Sequence, residues 1–567
     1  MSVLAGADLR LNAGPIDYAL LVVYFAVVLG IGALARRSVS TSLDFLLSGR
    51  SLPAWVTGLA FISANLGALE IFGMTANGAQ YGLPTMHYYW IGAIPAMVFL
   101  GLVMMPFYYG SKVRSVPEFL RRRFGKGAHL VNAISFAVAA VLIAGVNLYA
   151  LASVVNVLLG WPIWVSIIVA GLVVLSYTTL GGLSAAIYNE VLQFFVIVAM
   201  LLPLTIVGLH KVGGWQGLVD KITANNSNAT EQLSSWPGSN LTGITNPTMS
   251  VIGIVFGLGF VLSFGYWTTN FAEVQRALSA KNMSAARRTP IIGAYPKTLI
   301  PLIIIIPGMI AAVLVPEMGK AKAALLADPN AATDVKFNNA LELLIRDLLP
   351  NGMLGIAITG LLAAFMAGMA ANISSLNTVF TYDLWQDYVV KDRPDEYYLR
   401  VGRWVTVVGT VIAMGTAFIA GGYNNIMDYV QTLFSFFNAP LFATFILGMF
   451  WKRMTAAAGW SGLVFGTLAA VLVDILNRAG ALHLQGQGAS FVGASAAFVV
   501  DIVVSVAVSL ATVPRPEAEL TGLVWSLTPK STRQHSTEGD GGGWYRKPLL
   551  LGIGVLVLTF VLNLVFG

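Results

Sequence analysis

Residues 53–80 read PAWVTGLAFISANLGALEIFGMTANGAQ, an apolar segment with a polar centre. A membrane-spanning helix takes roughly 20 mostly apolar residues, so the segment is long enough to cross a bilayer. Its centre places Ser63, Asn65, Gly67 and Glu70 at bilayer depth, where a hydroxyl, an amide, a glycine and a carboxylate come together. Helices interrupted at that depth expose backbone groups that coordinate ions and solutes in transporters. The segment therefore predicts a broken membrane helix beside a binding site.

The composition of the whole chain indicates an integral membrane protein. Of its 567 residues, 57% are hydrophobic and 10% are charged, whereas soluble proteins are about 25% charged. Cysteine is absent, which excludes disulfides, thiolate metal sites and a cysteine nucleophile. Because no nucleophile–base pair or metal cluster appears in the sequence, an enzyme is the least expected class, and no organic cofactor is expected.

Apolar runs of spanning length occur along almost the entire chain, and they predict a single all-α membrane domain over 1–567. We predict fourteen spans, at 16–36, 53–80, 85–110, 129–159, 162–179, 184–210, 249–278, 291–316, 352–384, 400–421, 424–450, 456–477, 489–512 and 547–566.

Lysine and arginine are distributed unevenly between the two sides of this arrangement. With the N-terminus outside, the inside connections carry 24 of the 33 basic residues and the outside segments carry 8. Such a bias is what the positive-inside rule requires. The sequence therefore predicts a multi-pass protein of the plasma or inner membrane with both termini outside. The net charge of +7 then needs no nucleic-acid partner.

The seventh predicted span contains IVFGLGFVLSFGYWTTN at 254–270. Gly257, Gly259, Ser263 and Gly265 predict that this helix is also interrupted in its middle. It follows the second span by five, which is the separation expected of discontinuous helices in two five-helix units related by an inverted repeat. Glycines in membrane helices also serve close packing, and this alternative stays open for each of them.

Three ionisable residues in the predicted spans are candidates for function, because charge is costly in lipid. Glu70 lies at mid-span. Lys297 lies in the eighth span, nearer the inside face and next to Pro296. Either a cavity around the amine or snorkelling of the side chain to the interface would explain a lysine at this position. Glu190 lies within a turn or two of the inside end of its span, where a solvated position is as reasonable as a functional one.

Six stretches together resemble the solute:sodium symporters, and within them the sodium/galactose and sodium/glucose transporters. They are FLLSGRSLPAWVTGLAFISANLGALEIFGM at 45–74, GGLSAAIYNEVLQ at 181–193, VQRALSAKN at 274–282, AYPKTLIP at 294–301, SSLNTVFTYDLW at 374–385 and LGMFWKRMT at 447–455.

The resemblance implies fourteen helices, an inverted five-plus-five repeat and alternating access around a midplane site. The first repeat would be 53–210 and the second 249–450. An extra N-terminal helix would lie at 16–36, and C-terminal helices at 456–566 would include a flexible inside loop at 513–545.

The resemblance also implies a solute site. The positions that hold sugar in the family align with Glu70, Tyr89, Ser263, Lys297 and Gln431. Lys297 and Gln431 match in type, whereas Glu70 replaces a glutamine, Tyr89 a glutamate and Ser263 an asparagine. We therefore expect a small neutral solute, a sugar or polyol, without naming galactose.

Gate residues follow from the same alignment. Tyr266 matches the inner tyrosine gate, and hydrophobic gates would be lined by Met74, Tyr88 and Met427. Tyr88 would also contribute to the solute site.

The cation site implied by the resemblance departs further from the family. Sodium would be held by backbone carbonyls of Ser63, Leu66 and Ala364, but the two hydroxyl ligands align with Ala367 and Gly368. In the family, the position of Glu190 is an aspartate near the inner ion path. The expected coupling ion is Na⁺, bound weakly, with a proton carried by Glu70 as the alternative.

Other functions stay open. A sodium-independent uniporter or a transporter-like sensor would fit the missing hydroxyls, and a monocarboxylate or amino acid symporter would fit Lys297. A proton-pumping subunit of a respiratory complex is less expected, because it would need more charged residues at mid-span than Glu70 and Lys297.

Overall fold

The structure is a computed structural model that describes residues 11–35, 41–225, 229–236, 253–328, 331–484, 487–528 and 543–566. Within these ranges the chain is helical, and the strand-like pairing is limited to an isolated bridge between Leu52 and Ala280. The predicted all-α class is confirmed.

The helices are numbered here in chain order. They are α1 Pro15–Ala35, α2 Ser42–Leu47, α3 Ala54–Asn65, α4 Leu69–Tyr81, α5 Leu83–Tyr108, α6 Val116–Phe124, α7 Lys126–Leu159, α8 Ile163–Val212, α9 Gly214–Asn225, α10 Ala229–Leu233, α11 Gly253–Thr269, α12 Phe271–Leu278, α13 Met283–Leu314, α14 Pro316–Ala327, α15 Ala340–Leu348, α16 Met353–Val389, α17 Asp395–Ala420, α18 Ile426–Phe450, α19 Ala456–Arg478, α20 Gly488–Ala511 and α21 Pro548–Val565.

Most of the predicted spans have a counterpart among these helices. In the described part of the chain, eleven helices are long and apolar enough to cross a membrane, and two bent pairs, α3 with α4 and α11 with α12, raise the number to 13. The predicted spans 162–179 and 184–210 lie in one helical stretch, α8, in which Leu183–Val212 qualifies by itself and Ile163–Ser176 is a shorter apolar segment. The count of fourteen and the inverted repeat stay predictions.

The second predicted span is broken, as the sequence predicts. α3 and α4 meet at an angle of 57° across residues 66–68. The N–H of Ala68, which the break leaves without a helical partner, donates to Oδ1 of Asn147 on α7 at 2.8 Å. Gly67 lies against α16, where its added Cβ would be 3.1 Å from the Cα of Gly368. The break is therefore held by a side chain from α7 and by close backbone contact with α16.

The seventh predicted span bends at a different place from the one predicted. α11 continues through Gly265 to Thr269, and the 48° bend lies at Asn270. Asn270 leaves helical geometry, and its side chain caps α12 by accepting the N–H of Ala272 at 3.0 Å. The capping asparagine, rather than the glycines, ends the first half of the span.

The glycines of α11 serve close packing, and around them the helix widens to a π-helix over Gly253–Ser263 without bending, so the predicted break lies at Asn270 instead. An added Cβ on Gly265 would lie 2.8 Å from the carbonyl oxygen of Asn438, and one on Gly259 would lie 2.9 Å from the side chain of Ile91. Neighbouring helices approach the backbone at these points, which only a residue without a side chain permits.

The helices around the two bends form the centre of the molecule. α16 is largely buried and packs on α3, α7 and α8, while α13 packs along α3 and α4. α1 and α21 lie at the periphery, and α19 and α20 pack on each other and on α18. The predicted outside connections are part helical, as α9, α10, α14 and α15 show, whereas the glycine-rich part of the predicted loop 513–545 lies outside the described residues.

The crossing of α13 and α4 depends on two small residues. Gly308 of α13 contacts the carbonyl of Thr75, and Gly78 of α4 contacts the carbonyl of Ile305. A methyl group at either glycine would overlap the facing carbonyl oxygen.

We expect Gly308→Ala to destabilise the purified protein by about 1–3 kcal/mol, the usual cost of overpacking. Thermal denaturation in detergent measures the effect as a lower midpoint. Gly415→Ala on α17 is the control, because its methyl group would meet nothing within 4 Å. Equal midpoints for the two variants would show that the α13 and α4 backbones are not in contact.

Candidate solute and cation sites

A small cavity lies beside the break of the second span. It has a volume of about 50 Å³, which is room for a few water molecules. Its walls come from both halves of the broken span and from α5, α11 and α18, and they comprise Asn65, Leu69, Glu70, Met74, Tyr88, Tyr89, Ala93, Leu262, Ser263, Tyr266, Trp267, Met427, Gln431 and Phe434. Eight of these residues were proposed from the sequence for solute binding or gating.

Lys297 of α13 and Glu70 form an ion pair at the cavity wall. The Nζ–Oε1 distance is 2.8 Å, and the side chains are 1% and 13% exposed. Lys297 Nζ also donates to Oδ1 of Asn65, and the hydroxyl of Tyr89 donates to the second oxygen of Glu70. Both charges are thus paired and hydrogen-bonded, as buried charge requires. The snorkelling alternative for Lys297 is wrong.

Two aromatic rings flank the same amine. Lys297 Nζ lies 4.7 Å from the ring centroid of Tyr89 and 5.2 Å from that of Trp267, within the range of cation–π attraction. Trp267 is itself stacked on Phe61, with 5.7 Å between the centroids. The two rings therefore add to the stabilisation of the buried amine beside the cavity.

A chain of hydrogen bonds leads from this pair to the bend of the seventh span. Asn65 Nδ2 donates to the hydroxyl oxygen of Tyr266 at 2.9 Å, and that hydroxyl donates to Oε1 of Glu273 at 2.8 Å. Glu273 is buried on α12. Tyr266, which lines the cavity, therefore connects the two bent spans.

Among the remaining cavity residues, Gln431 has a hydrogen-bond acceptor that is not used. Gln431 of α18 is buried, its Nε2 lies 3.4 Å from Sδ of Met427, and its Oε1 has no hydrogen-bond partner among the described residues. Met74 and Met427 are also buried, and Tyr88 bonds to Gln487 beside α20. The amide oxygen of Gln431 is available to a hydroxyl group in the cavity.

The positions proposed for sodium lie on the broken span and on α16. Ser63 is in the last turn of α3 and Leu66 is in the break, whereas Ala364, Ala367 and Gly368 belong to α16. All five are buried.

Ala364, Ala367 and Gly368 add no side-chain oxygen to the proposed cation region, but two other residues have side-chain oxygens nearby. A Cβ on Gly368 would overlap Oδ1 of Asn147, so the space of a longer side chain at 368 is filled by that amide oxygen. The hydroxyl of Ser63 is buried without a hydrogen-bond partner in the described part of the chain. Sequence reasoning missed Asn147, because α7 shows no irregularity around it.

Glu190 is placed apart from the cavity. Its carboxylate pairs with Arg276 of α12 through both oxygens, the Nε–Oε2 distance being 3.2 Å, and both side chains are fully buried. The alternative of a solvated Glu190 is wrong, because the carboxylate is buried and paired. Its partner lies 86 positions away and was not recognised from the sequence.

A group with metal-ligand chemistry lies at the end of α7. His129 Nε2 is 3.0 Å from Oδ1 of Asp383 and 3.8 Å from Oδ2 of Asp387. Arg121 already pairs with Asp387, and Tyr388 hydrogen-bonds the other ring nitrogen of His129. These contacts join α6 and α7 to α16 without a metal.

Comparison with known proteins identifies the family. The sequence matches the sodium:solute symporter family over residues 45–466. A sodium/glucose cotransporter of Vibrio parahaemolyticus is 28% identical over 469 residues, covering 80% of this chain and 84% of the relative. Sodium/glucose cotransporter 4 of Homo sapiens is 30% identical over 552 residues, with 91% and 79% covered. Sodium/myo-inositol cotransporter 2 of Mus musculus is 29% identical over 492 residues, with 82% and 70% covered.

A solved structure shares the fold. A Na⁺-coupled sialic acid symporter in a substrate-bound outward-open state superposes with a TM-score of 0.71 at 19% identity, covering 88% of this chain and 99% of that one. Since the family match extends over most of the sequence and relatives align over nearly the whole chain, this protein belongs to the sodium:solute symporter family and is a multi-pass membrane transporter rather than an enzyme.

Proposed function

We propose that this protein couples the inward movement of Na⁺ to the uptake of a sugar or polyol by alternating access. The observation that carries the proposal is the Glu70–Lys297 pair in the wall of a small cavity beside a broken helix. The family membership supports sodium coupling, and two relatives bear the names of glucose and myo-inositol cotransporters.

The ion pair favours a neutral solute. Its charges have opposite sign and lie 2.8 Å apart, so the cavity carries little net charge. A monocarboxylate would meet the carboxylate of Glu70, and it would have to separate that group from Lys297. A polyhydroxylated solute can instead accept from Lys297 and donate to Glu70 and Gln431 without breaking charge neutrality.

The cavity must widen before a hexose enters it. A volume of about 50 Å³ is too small for six carbons and their hydroxyls. Met74 and Met427 are flexible thioether side chains and can change rotamer, whereas Tyr266 is held by Asn65 and Glu273. We therefore assign the methionines to the outer gate and Tyr266 to the inner gate, with both termini outside.

The proposed cation site is built from oxygen atoms around the break. Carbonyl oxygens of Ser63, Leu66 and Ala364 are suitable for Na⁺, a hard cation. Because Ala367 and Gly368 add no hydroxyl, we expect weaker Na⁺ binding than a site with both hydroxyls would give. Occupation of this site by Na⁺ would hold α3 against α16, and release would free them to move.

We expect uptake of glucose or myo-inositol into proteoliposomes to rise severalfold when an inward Na⁺ gradient replaces a choline gradient. Pyruvate and alanine serve as the charged and zwitterionic comparisons and should not be taken up. Equal uptake with choline would indicate a sodium-independent uniporter. Stimulation of uptake by a proton gradient alone would indicate that a proton carried by Glu70 is the coupling ion.

Single substitutions in the ion pair should be more harmful than the double one. Glu70→Gln and Lys297→Gln each leave one buried charge without its partner, which costs about 3–5 kcal/mol where burial is complete. The double variant removes both charges, so its thermal midpoint should lie above those of the single variants. Additive effects in this double-mutant cycle would contradict a direct interaction.

A hydroxyl restored at one cation position should strengthen sodium dependence. We expect Ala367→Ser to lower the Na⁺ concentration for half-maximal uptake severalfold, because it adds an oxygen ligand. Gly368→Ser should instead lower the thermal midpoint, since its side chain would overlap Asn147. Ile356→Ser, on the exposed face of α16, is the control. An unchanged Na⁺ dependence of uptake in Ala367→Ser would indicate that the cation binds at another site.

A further inference from the structure

A large apolar groove lies on the outer surface of the helix bundle, away from the solute cavity. It has a volume of about 660 Å³ and lies between α7, α16 and α17. Its walls include Val138 and Val141 of α7, Phe380 and Trp385 of α16, and Val408 of α17. All of these side chains are apolar over the surface that they present, so the groove has the chemistry of an acyl-chain site.

The groove closes at one end by direct helix contact. A Cβ on Gly145 of α7 would lie 2.9 Å from the backbone nitrogen of Ala417, so the two helices touch there. From Thr416 to Val401 along α17 the groove extends roughly 22 Å, at 1.5 Å per residue. That length exceeds one leaflet of about 15 Å, half of the hydrocarbon core. A lipid chain therefore fits along it.

The other end of the groove is basic. A second cavity of about 180 Å³ is lined by Arg400, Arg403, Trp404 and Val407. Trp404 lines both cavities and is 69% exposed. The two cavities therefore adjoin each other at Trp404, at the end of α17 that the charge bias assigns to the inside.

Neither arginine has an anionic partner. Among the described residues, the ion pairs involve other side chains, and no carboxylate lies within salt-bridge distance of Arg400 or Arg403. A tryptophan beside them is typical of the level of lipid headgroups. Two unpaired guanidinium groups at that level attract a phosphate.

We propose that the groove between α7, α16 and α17 binds an anionic phospholipid, with an acyl chain against the apolar walls and its phosphate between Arg400 and Arg403. A zwitterionic lipid would fill the apolar part equally well but would gain less from the arginines. An apolar helix of a second copy would bury both arginines without an anion, which costs free energy. The combination of a long apolar groove and a basic end therefore favours an anionic lipid.

The absence of cysteine allows a selective reporter. Val408→Cys places one thiol in the groove, and Val503→Cys places one on an exposed face of α20, in the half of that helix nearer the inside. Each is labelled with bimane and reconstituted in vesicles that contain brominated phosphatidylglycerol or brominated phosphatidylcholine. Quenching then reports which lipid lies beside the label.

We expect phosphatidylglycerol to bind beside Val408→Cys about tenfold or more tightly than phosphatidylcholine, since each basic side chain contributes roughly fivefold. The ratio of the two affinities should fall to near one in the double variant Arg400→Gln/Arg403→Gln and return in Arg400→Lys/Arg403→Lys. It should be unchanged in Lys281→Gln, because Lys281 is an exposed basic residue outside the groove. The same preference beside Val503→Cys, or its persistence without both arginines, would overturn the proposal. Absence of quenching together with dimers in light scattering would do so too, because a second copy would then cover the groove.

Discussion

The amine of Lys297 needs several partners at once, and that need determines how the centre of the transporter is assembled. A buried cation is tolerated only when it is paired and hydrogen-bonded. Its partners come from both halves of the broken span: Asn65 ends α3 and Glu70 lies in α4. The rings of Tyr89 and Trp267 add α5 and α11. A single side chain on α13 therefore contacts every element that lines the cavity except α18.

The polar centre of the second span could be identified from the sequence, because hydroxyl, amide and carboxylate groups interrupt an otherwise apolar run. The same reasoning misplaced the break in the seventh span, since Gly259 and Gly265 admit neighbouring helices while Asn270 makes the bend. A glycine in a membrane helix does not by itself distinguish packing from a break. An asparagine that can cap the following helix would have been the better signal.

Long-range partners were beyond sequence reasoning for a different reason. Glu190 was recognised as ionisable and near the inside end, but its pairing with Arg276 depends on how α8 and α12 cross. Asn147 lies in an ordinary helical sequence, and only the approach of Gly67 to Gly368 shows that its amide fills the break. Hydropathy and charge locate the membrane and the candidate groups. The contacts that give each group its partner require the packed structure.

α7 and α16 each contribute residues both to the break of the second span and to the apolar groove. α7 carries Asn147 at the break and Val141 in the apolar groove, and α16 carries Gly368 at the break and Phe380 in the groove. The proposed cation site and the proposed lipid groove therefore involve the same two helices. A lipid bound there would resist the approach of α7 and α17 on the inside half of the membrane, whereas the two helices touch at Gly145, farther along. Any rocking of α16 during alternating access must then either carry this lipid with it or change the width of the groove.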